Sequence, residues 1–384
     1  MLSRFPYPLE KGDKLRAFHQ IKELSKKYSI TLIATTDNSV KKESIEQLKI
    51  YCTTIYIFRL NKISIFANIL FKLFTNKPIQ TGYFYSSKNN SKIKSILNEV
   101  KPDHIYCQLV RVSEFVKNYH HCSKTLDYMD ALSKGMERRI ENAPFYLKWL
   151  FKTESKRLSF YERQIFDYFE HQTIISDQDR NFISHPNRNK IFCIPNGVDE
   201  SFFEKLNIPK DFDLLFVGNM NYQPNIEAVH YINNEILPIL NSGETKYSLL
   251  ISGANTHSSI RKITKSNPLI TATGWVQDIR YSYARGRVFI APMQIGTGLQ
   301  NKLIEAMAMG IPCITTSLSN NAINAIHNES IIVAENKIDF VNAIKLLLSD
   351  ANYYEKISKG GTEFVKNKFN WNKSTEKLIE IFES

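Results

Sequence analysis

The densest group of chemically useful residues is Gly296-Thr-Gly-Leu-Gln-Asn-Lys-Leu-Ile-Glu305. Gly296 and Gly298 allow the backbone to approach a ligand closely. Lys302 and Glu305 add a cation and a carboxylate three residues apart, which is one face of a helix. The chemistry that suits this set is phosphate binding, because the free N–H groups of a helix start point at an anion and a lysine there neutralises it. The alternative for Lys302 and Glu305 is an ion pair on a solvated face. Lysine ahead of glutamate is the weaker order for that, and a cation in the first turn opposes the helix dipole. A phosphate at the helix start would reverse this penalty.

Neighbouring residues must build and hold that helix. Residues 288–291 are an apolar run of strand length, and Leu299, Leu303, Ala306 and Met307 recur at helical spacing. Gly310 and Pro312 stop the helix, and 313–316 read as the next strand. This strand–glycine loop–helix–strand unit is the building block of parallel sheets.

The run from Gly296 to Pro312 resembles the nucleotide-sugar signature of retaining glycosyltransferases of family 4. That resemblance implies an α/β protein of the GT-B class, with two Rossmann-like domains whose parallel sheets face each other across a cleft. It implies that Glu305 contacts the donor ribose and that Gly296, Thr297, Gly298, Leu299 and Gln300 lie against the sugar and diphosphate. Family members often carry a second glutamate where this chain has Thr297; the Gly-Thr-Gly form resembles a bacterial subset. A second glycine turn, Gly218-Asn219, follows Asp213-Leu-Leu-Phe-Val217, of which 214–217 are apolar. Members of the family commonly have arginine after this glycine and a lysine farther on, both holding diphosphate. With Asn219 here, Lys302 is left as the main phosphate cation. The same resemblance places the nucleobase near Trp275 and Val276.

In the first half, strands are expected at 31–35, 54–58, 104–108, 125–129, 173–176 and 191–195, and residues 1–3 as the end of a first strand. A turn-rich loop at 4–14 precedes a helix at 15–27. Gly12 matches the family glycine that approaches the donor diphosphate, with a simple turn glycine as the alternative. Asp130 falls just past a strand end, where open parallel sheets place ligand groups. The resemblance implies contact with the transferred sugar; a helix N-cap is the alternative. The very apolar stretch 63–74 reads as a buried core helix or as a helix resting on a membrane surface. Residues 143–170 are long, aromatic, basic and helical in pattern.

Pro195-Asn-Gly-Val-Asp199 resembles the family's interdomain segment. The expected division is an acceptor-binding domain at 1–205, joined by a C-terminal helix at 372–384 that packs back on it, and a nucleotide-sugar-binding domain at 206–371.

The net charge of +12 is uneven: residues 1–200 carry +11 and the rest +1. An anionic membrane surface is thus a candidate partner for 1–200, beside a nucleotide sugar and a glycan or lipid-linked acceptor. No nucleic-acid motif accompanies the charge, and no Gly-x-Gly-x-x-Gly follows a strand, which argues against a dehydrogenase. Five cysteines with no Cys-x-x-Cys pair suggest a reducing cytoplasm, and no His or carboxylate cluster has metal-ligand spacing. No signal peptide and no apolar run of membrane-spanning length is read, so the expected location is cytoplasmic, at most peripheral on the inner membrane face. The expected activity is retaining transfer from a UDP- or GDP-linked sugar, used as substrate with no further cofactor. The alternatives are an epimerase of the same fold and an inactive, glycosyltransferase-like binding protein.

Overall fold

Short strands that are apolar on both faces must be covered on both sides, and this dictates parallel sheets flanked by helices. The computed structural model describes all residues except Glu10, Phe74, Asn142 and 296–298. The chain divides into two units, Met1–Asn196 with Trp371–Ser384, and Gly197–Asn370. The exchange thus lies inside the Pro-Asn-Gly-Val-Asp segment, upstream of the expected 205/206.

The strands of the first unit are β1 (Thr31–Thr36), β2 (Thr54–Arg59), β3 (His104–Gln108), β4 (Ser123–Asp127), β5 (His171–Ile174) and β6 (Phe192–Cys193). β1 pairs with β2, and β3 to β6 form a parallel sheet in sequence order. Residues 1–3 lie between the two groups. Leu2 N donates to Ile33 O at 2.9 Å, Thr35 N to Leu2 O at 3.0 Å, and Gln108 N to Met1 O at 3.0 Å. This short stub therefore joins β1 to β3.

One buried ion pair ties the unit together. Arg16, on the helix Gly12–Leu24, is fully buried. Its Nε donates to Asp127 Oδ2 at 2.6 Å, Nη2 to Asp127 Oδ1 at 3.3 Å, and Nη1 to Ile194 O at 2.9 Å and Asn196 Oδ1 at 3.0 Å. Asp127, at the end of β4, also accepts from Tyr106 Oη at 2.7 Å and Thr173 Oγ1 at 3.0 Å. The pair thus fastens a helix, three strands and the exit segment. The final helix, Trp371–Glu383, packs on the same region: Trp371 stacks on His19 at 4.9 Å, and Leu378 and Ile381 cluster with Leu24 and Ile194.

The stretch from Lys62 to Leu73 is a helix, and none of its residues is buried. The buried-core reading is therefore wrong: Ile63, Phe66, Leu70 and Phe71 are exposed. Phe74 lies outside the described residues. A second helix, Phe145–Phe166, exposes Phe145, Tyr146 and Trp149 at its start. Arg157 joins the two, donating from Nη1 to Lys72 O and from Nη2 to Leu73 O, each at 3.1 Å.

The second unit contains β7 (Phe212–Val217), β8 (Leu249–Ser252), β9 (Ile270–Ala272), β10 (Gly286–Ala291), β11 (Cys313–Thr315) and β12 (Ile332–Val333). They form one sheet in the order β12-β11-β10-β7-β8-β9, parallel throughout. Chain direction across the sheet reverses between β7 and β10. Such a switch point opens a crevice beyond the strand ends, where ligands of open α/β sheets bind.

Candidate active site

At the switch point the backbone is bare. Gly218, Gly253 and Gly274 follow β7, β8 and β9. A side chain on Gly253, at φ +139°, would put its Cβ 1.8 Å from Gly218 O, so only glycine fits there. The neighbouring helix Gln223–Tyr231 sends Asn225 inward; its Nδ2 donates to Asn219 O at 2.9 Å.

Lys302 approaches the same amide from the other side of the switch point. It lies in the first turn of the helix Asn301–Ala308 and is only 9% exposed. Its Nζ donates to Asn225 Oδ1 at 2.5 Å, sits 3.4 Å from Met293 Sδ and lies 4.7 Å from the centroid of the Phe216 ring. Burial brings the amine down to about 7, against the opposing pull of Glu305. Asn225 therefore spans the β7 turn and the one cation of this helix.

Glu305, one turn on, makes no ion pair with Lys302 among the described residues. Its Oε2 lies 2.9 Å from Tyr283 Oη, which is also 3.1 Å from Lys302 O. Burial pushes the Glu305 carboxyl up, while the Tyr283 hydroxyl and Lys302 hold it down. The solvated-pair alternative fails, because Lys302 is turned into the protein. Asn225 and Tyr283 escape the sequence reading; the available signal for Asn225 is a polar residue just ahead of the apolar positions Ile226, Val229 and Ile232, which recur at helical spacing.

The other expected contacts are dispersed. Trp275 is 67% exposed and Val276 half-buried, beyond Gly274 at φ +71°. Beside them a cavity of about 720 Å³ is lined by His257, Arg261, Thr273 and Gly274, among others. Asn219 is exposed and its Oδ1 accepts from Asn221 N at 3.1 Å. Leu299 packs partly buried against the core, and Gln300 immediately precedes the Asn301–Ala308 helix. Gly296, Thr297 and Gly298 lie outside the described residues.

In the first unit, Gly12 is the first residue of a helix and not part of a loop; a side chain there would meet nothing within 4 Å. Asp130 follows Met129, whose φ is +60°. No described residue donates a hydrogen bond to the Asp130 carboxylate, which overturns the helix-cap alternative. Burial, with Asp179 and Asp127 nearby, pushes Asp130 up to about 7 against Arg16 and Arg111. Among the described residues no group of His, Cys, Asp and Glu could hold a metal ion, and no helix is long and apolar enough to cross a membrane.

The family model described as glycosyl transferases group 1 matches residues 211–350, which contain the β7 turn, Tyr283, Lys302 and Glu305. A 44.6 kDa protein of the cps region of Klebsiella pneumoniae is 24% identical over 99% of this chain and 96% of its own length. The UDP-Gal:α-D-GlcNAc-diphosphoundecaprenol α-1,3-galactosyltransferase of Escherichia coli is 27% identical over 50% of this chain and 54% of its own. Among solved structures, HepE of Anabaena in complex with UDP-glucose superposes with a TM-score of 0.68, at 10% identity, covering 100% of this chain and 98% of that one. Likeness at that identity speaks to the fold alone. Residues 211–350 thus belong to the glycosyl transferases group 1 family, the relatives support a glycosyltransferase similar to those of family 4, and the fold is that of GT-B enzymes.

Proposed function

We propose that this enzyme moves a sugar from a UDP- or GDP-linked donor, with retention, onto a lipid-linked glycan acceptor at a membrane surface. The observation that carries the donor half is the buried Lys302 amine, which has among the described residues only neutral partners, the Asn225 amide oxygen and the Met293 thioether, beside the switch point. A cation buried at such expense has a use if a diphosphate completes its surroundings. In this reading Lys302 and the N–H groups at its helix start stabilise the departing diphosphate, Glu305 holds the ribose, and Asp130 meets the transferred sugar. The donor phosphate itself takes the proton of the acceptor hydroxyl, so no protein nucleophile is required.

The acceptor half draws support from the galactosyltransferase relative, whose name gives a diphosphoundecaprenol-linked acceptor. Unit 1 also has suitable surfaces: exposed Phe66 and Phe71 on one helix and Phe145 and Trp149 on the adjoining one, within a strongly basic unit.

A thermal-shift screen of UDP- and GDP-sugars tests the donor. A ligand at about 100 times its Kd stabilises the native state by about 2.7 kcal/mol, a shift of several degrees. Failure of every nucleotide sugar to raise the melting temperature would sink the reading.

A further inference from the structure

Unit 1 sets two arginines against one aromatic ring, and only one of them, Arg4, has a carboxylate partner among the described residues. Arg111 follows β3 in the short 3₁₀ segment Val110–Phe115. Its Nε donates to Gln80 Oε1 at 2.9 Å, and its two Nη groups hydrogen-bond to no described residue. Its guanidinium carbon lies 5.7 Å from the centroid of the Phe84 ring. Arg4 lies against the same ring, at 5.9 Å, and pairs with Asp13. The helix that presents Gln80 and Phe84, Ile79–Phe84, is itself fixed by Glu154, which accepts from Ile79 N at 2.9 Å and Gln80 N at 3.1 Å. The ring and the amide are thus rigidly offered to the two guanidinium groups.

These groups lie at the carboxyl ends of the central strands. Arg4 follows the stub between β1 and β3, Arg111 follows β3, and Asp130 follows β4. Leu109, at φ +67°, and Met129, at φ +60°, hold left-handed conformations just after β3 and β4, where neither has glycine's freedom. Strain of this kind persists where the surroundings impose it, commonly at ligand sites. Burial lowers Arg111 to about 10; Arg4 and Arg139 add to the effect, and Asp13 and Asp130 offset it. A guanidinium with two free Nη groups, among like charges, has the donor fork that two phosphate oxygens accept.

We infer that Arg4 and Arg111 form an anion site on unit 1 that holds the diphosphate of the acceptor. The inference rests on the proposed transfer to a lipid-linked acceptor and adds the residues that would recognise its charged link. The competing source of the same chemistry is the donor's own diphosphate.

Calorimetric titration of the full chain with inorganic pyrophosphate, in saturating UDP (or GDP, if that binds instead), separates the two. Pyrophosphate should bind the nucleotide-saturated protein. Arg111→Gln and Arg4→Gln should each weaken it by about tenfold or more, the worth of a charge-assisted hydrogen bond. Arg111→Lys should lose less, and nucleotide affinity should stay within about twofold of the native value. The half-exposed Arg4 decides the matter if Arg111→Gln does not fold. Absence of pyrophosphate binding, or binding indifferent to both substitutions, overturns the site. A parallel loss of nucleotide affinity assigns the arginines to the donor and overturns the acceptor assignment. If neither nucleotide binds the native chain, the donor reading falls by itself, and the response of pyrophosphate to Arg111→Gln on the free protein still decides this one.

Discussion

Arg16 in unit 1 and Lys302 in unit 2 are both buried cations near the ends of strands, and they are treated in opposite ways. Arg16 in unit 1 has a carboxylate, a backbone carbonyl and an amide oxygen for its donors. Burial by itself would lower its affinity for the proton, but Asp127 and Tyr106 more than offset that and hold it above its ordinary value. Lys302 in unit 2 has an amide oxygen, a thioether and a ring face, and burial brings it down to about 7. The charge totals diverge in the opposite sense: unit 1 has 34 Lys and Arg against 22 Asp and Glu, and unit 2 has 16 of each. A buried charge with a full set of partners is scaffold. One left short is, on the proposed donor reading, free energy held back for a ligand, even in a unit with no net charge to attract one.

The largest effect should come from breaking the scaffold pair. Asp127→Ala leaves Arg16 buried without its counter-ion, which costs about 3–5 kcal/mol. In a unit of this size the melting temperature measured by circular dichroism should fall by roughly 10 °C. A variant as stable as the native chain would remove the distinction between the two cations.

Next in size is the surface of unit 1. The protein should sediment with vesicles containing anionic lipid and far less with neutral ones, since each lysine or arginine near such a surface contributes about 1 kcal/mol. Salt at about 0.5 M should release most of it, and Phe66→Ser with Trp149→Ser should weaken it further. Equal binding to neutral and anionic vesicles, or none to either, would reject the membrane surface as partner.

Much of the architecture is legible from the residues, because fully buried parallel strands are apolar throughout. Phe-Ile-Ala at 289–291 and Leu-Leu-Ile at 249–251 admit few other readings, and Gly310-Ile-Pro312 ends a helix by stereochemistry alone. Direction is not legible in the same way. A three-residue spacing puts Lys302 and Glu305 on one face but does not say whether that face meets water or Phe216. Likewise, Ile63, Phe66, Leu70 and Phe71 have the composition of a core helix and yet are exposed, since apolar composition does not reveal whether a neighbour covers the face. The union of Arg4, Phe84 and Arg111 depends on three separated segments meeting at the carboxyl ends of neighbouring strands, and no local pattern announces it.

A moderate effect is expected at Glu305. Glu305→Gln keeps a partner for the Tyr283 hydroxyl but loses the charge, and should reduce turnover by about tenfold or more. The melting temperature should stay within a few degrees. Full activity would remove Glu305 from the donor contacts.

The smallest effect is also the most specific to Lys302. Between about 7 and the ordinary lysine value of 10.5, the unfolded chain carries a proton on this amine that the native protein has shed. Stability therefore rises with pH across that window, and below it the native state bears the full penalty of a buried ammonium. Lys302→Met removes that penalty, so its gain in melting temperature over the native chain should be larger at pH 6 than at pH 9, by about 3 °C or more. A diphosphate beside Nζ reverses the preference and restores the proton. At pH 8, UDP binding should accordingly take up most of one proton at this site, read by calorimetry in HEPES and in Tris, whose ionisation enthalpies differ. Lys302→Met should abolish that uptake and weaken UDP more than uridine. Equal uptake in the variant would mean that the amine stays neutral when the donor binds, leaving Lys302 a packing residue like Phe216 beneath it and removing the contrast with Arg16.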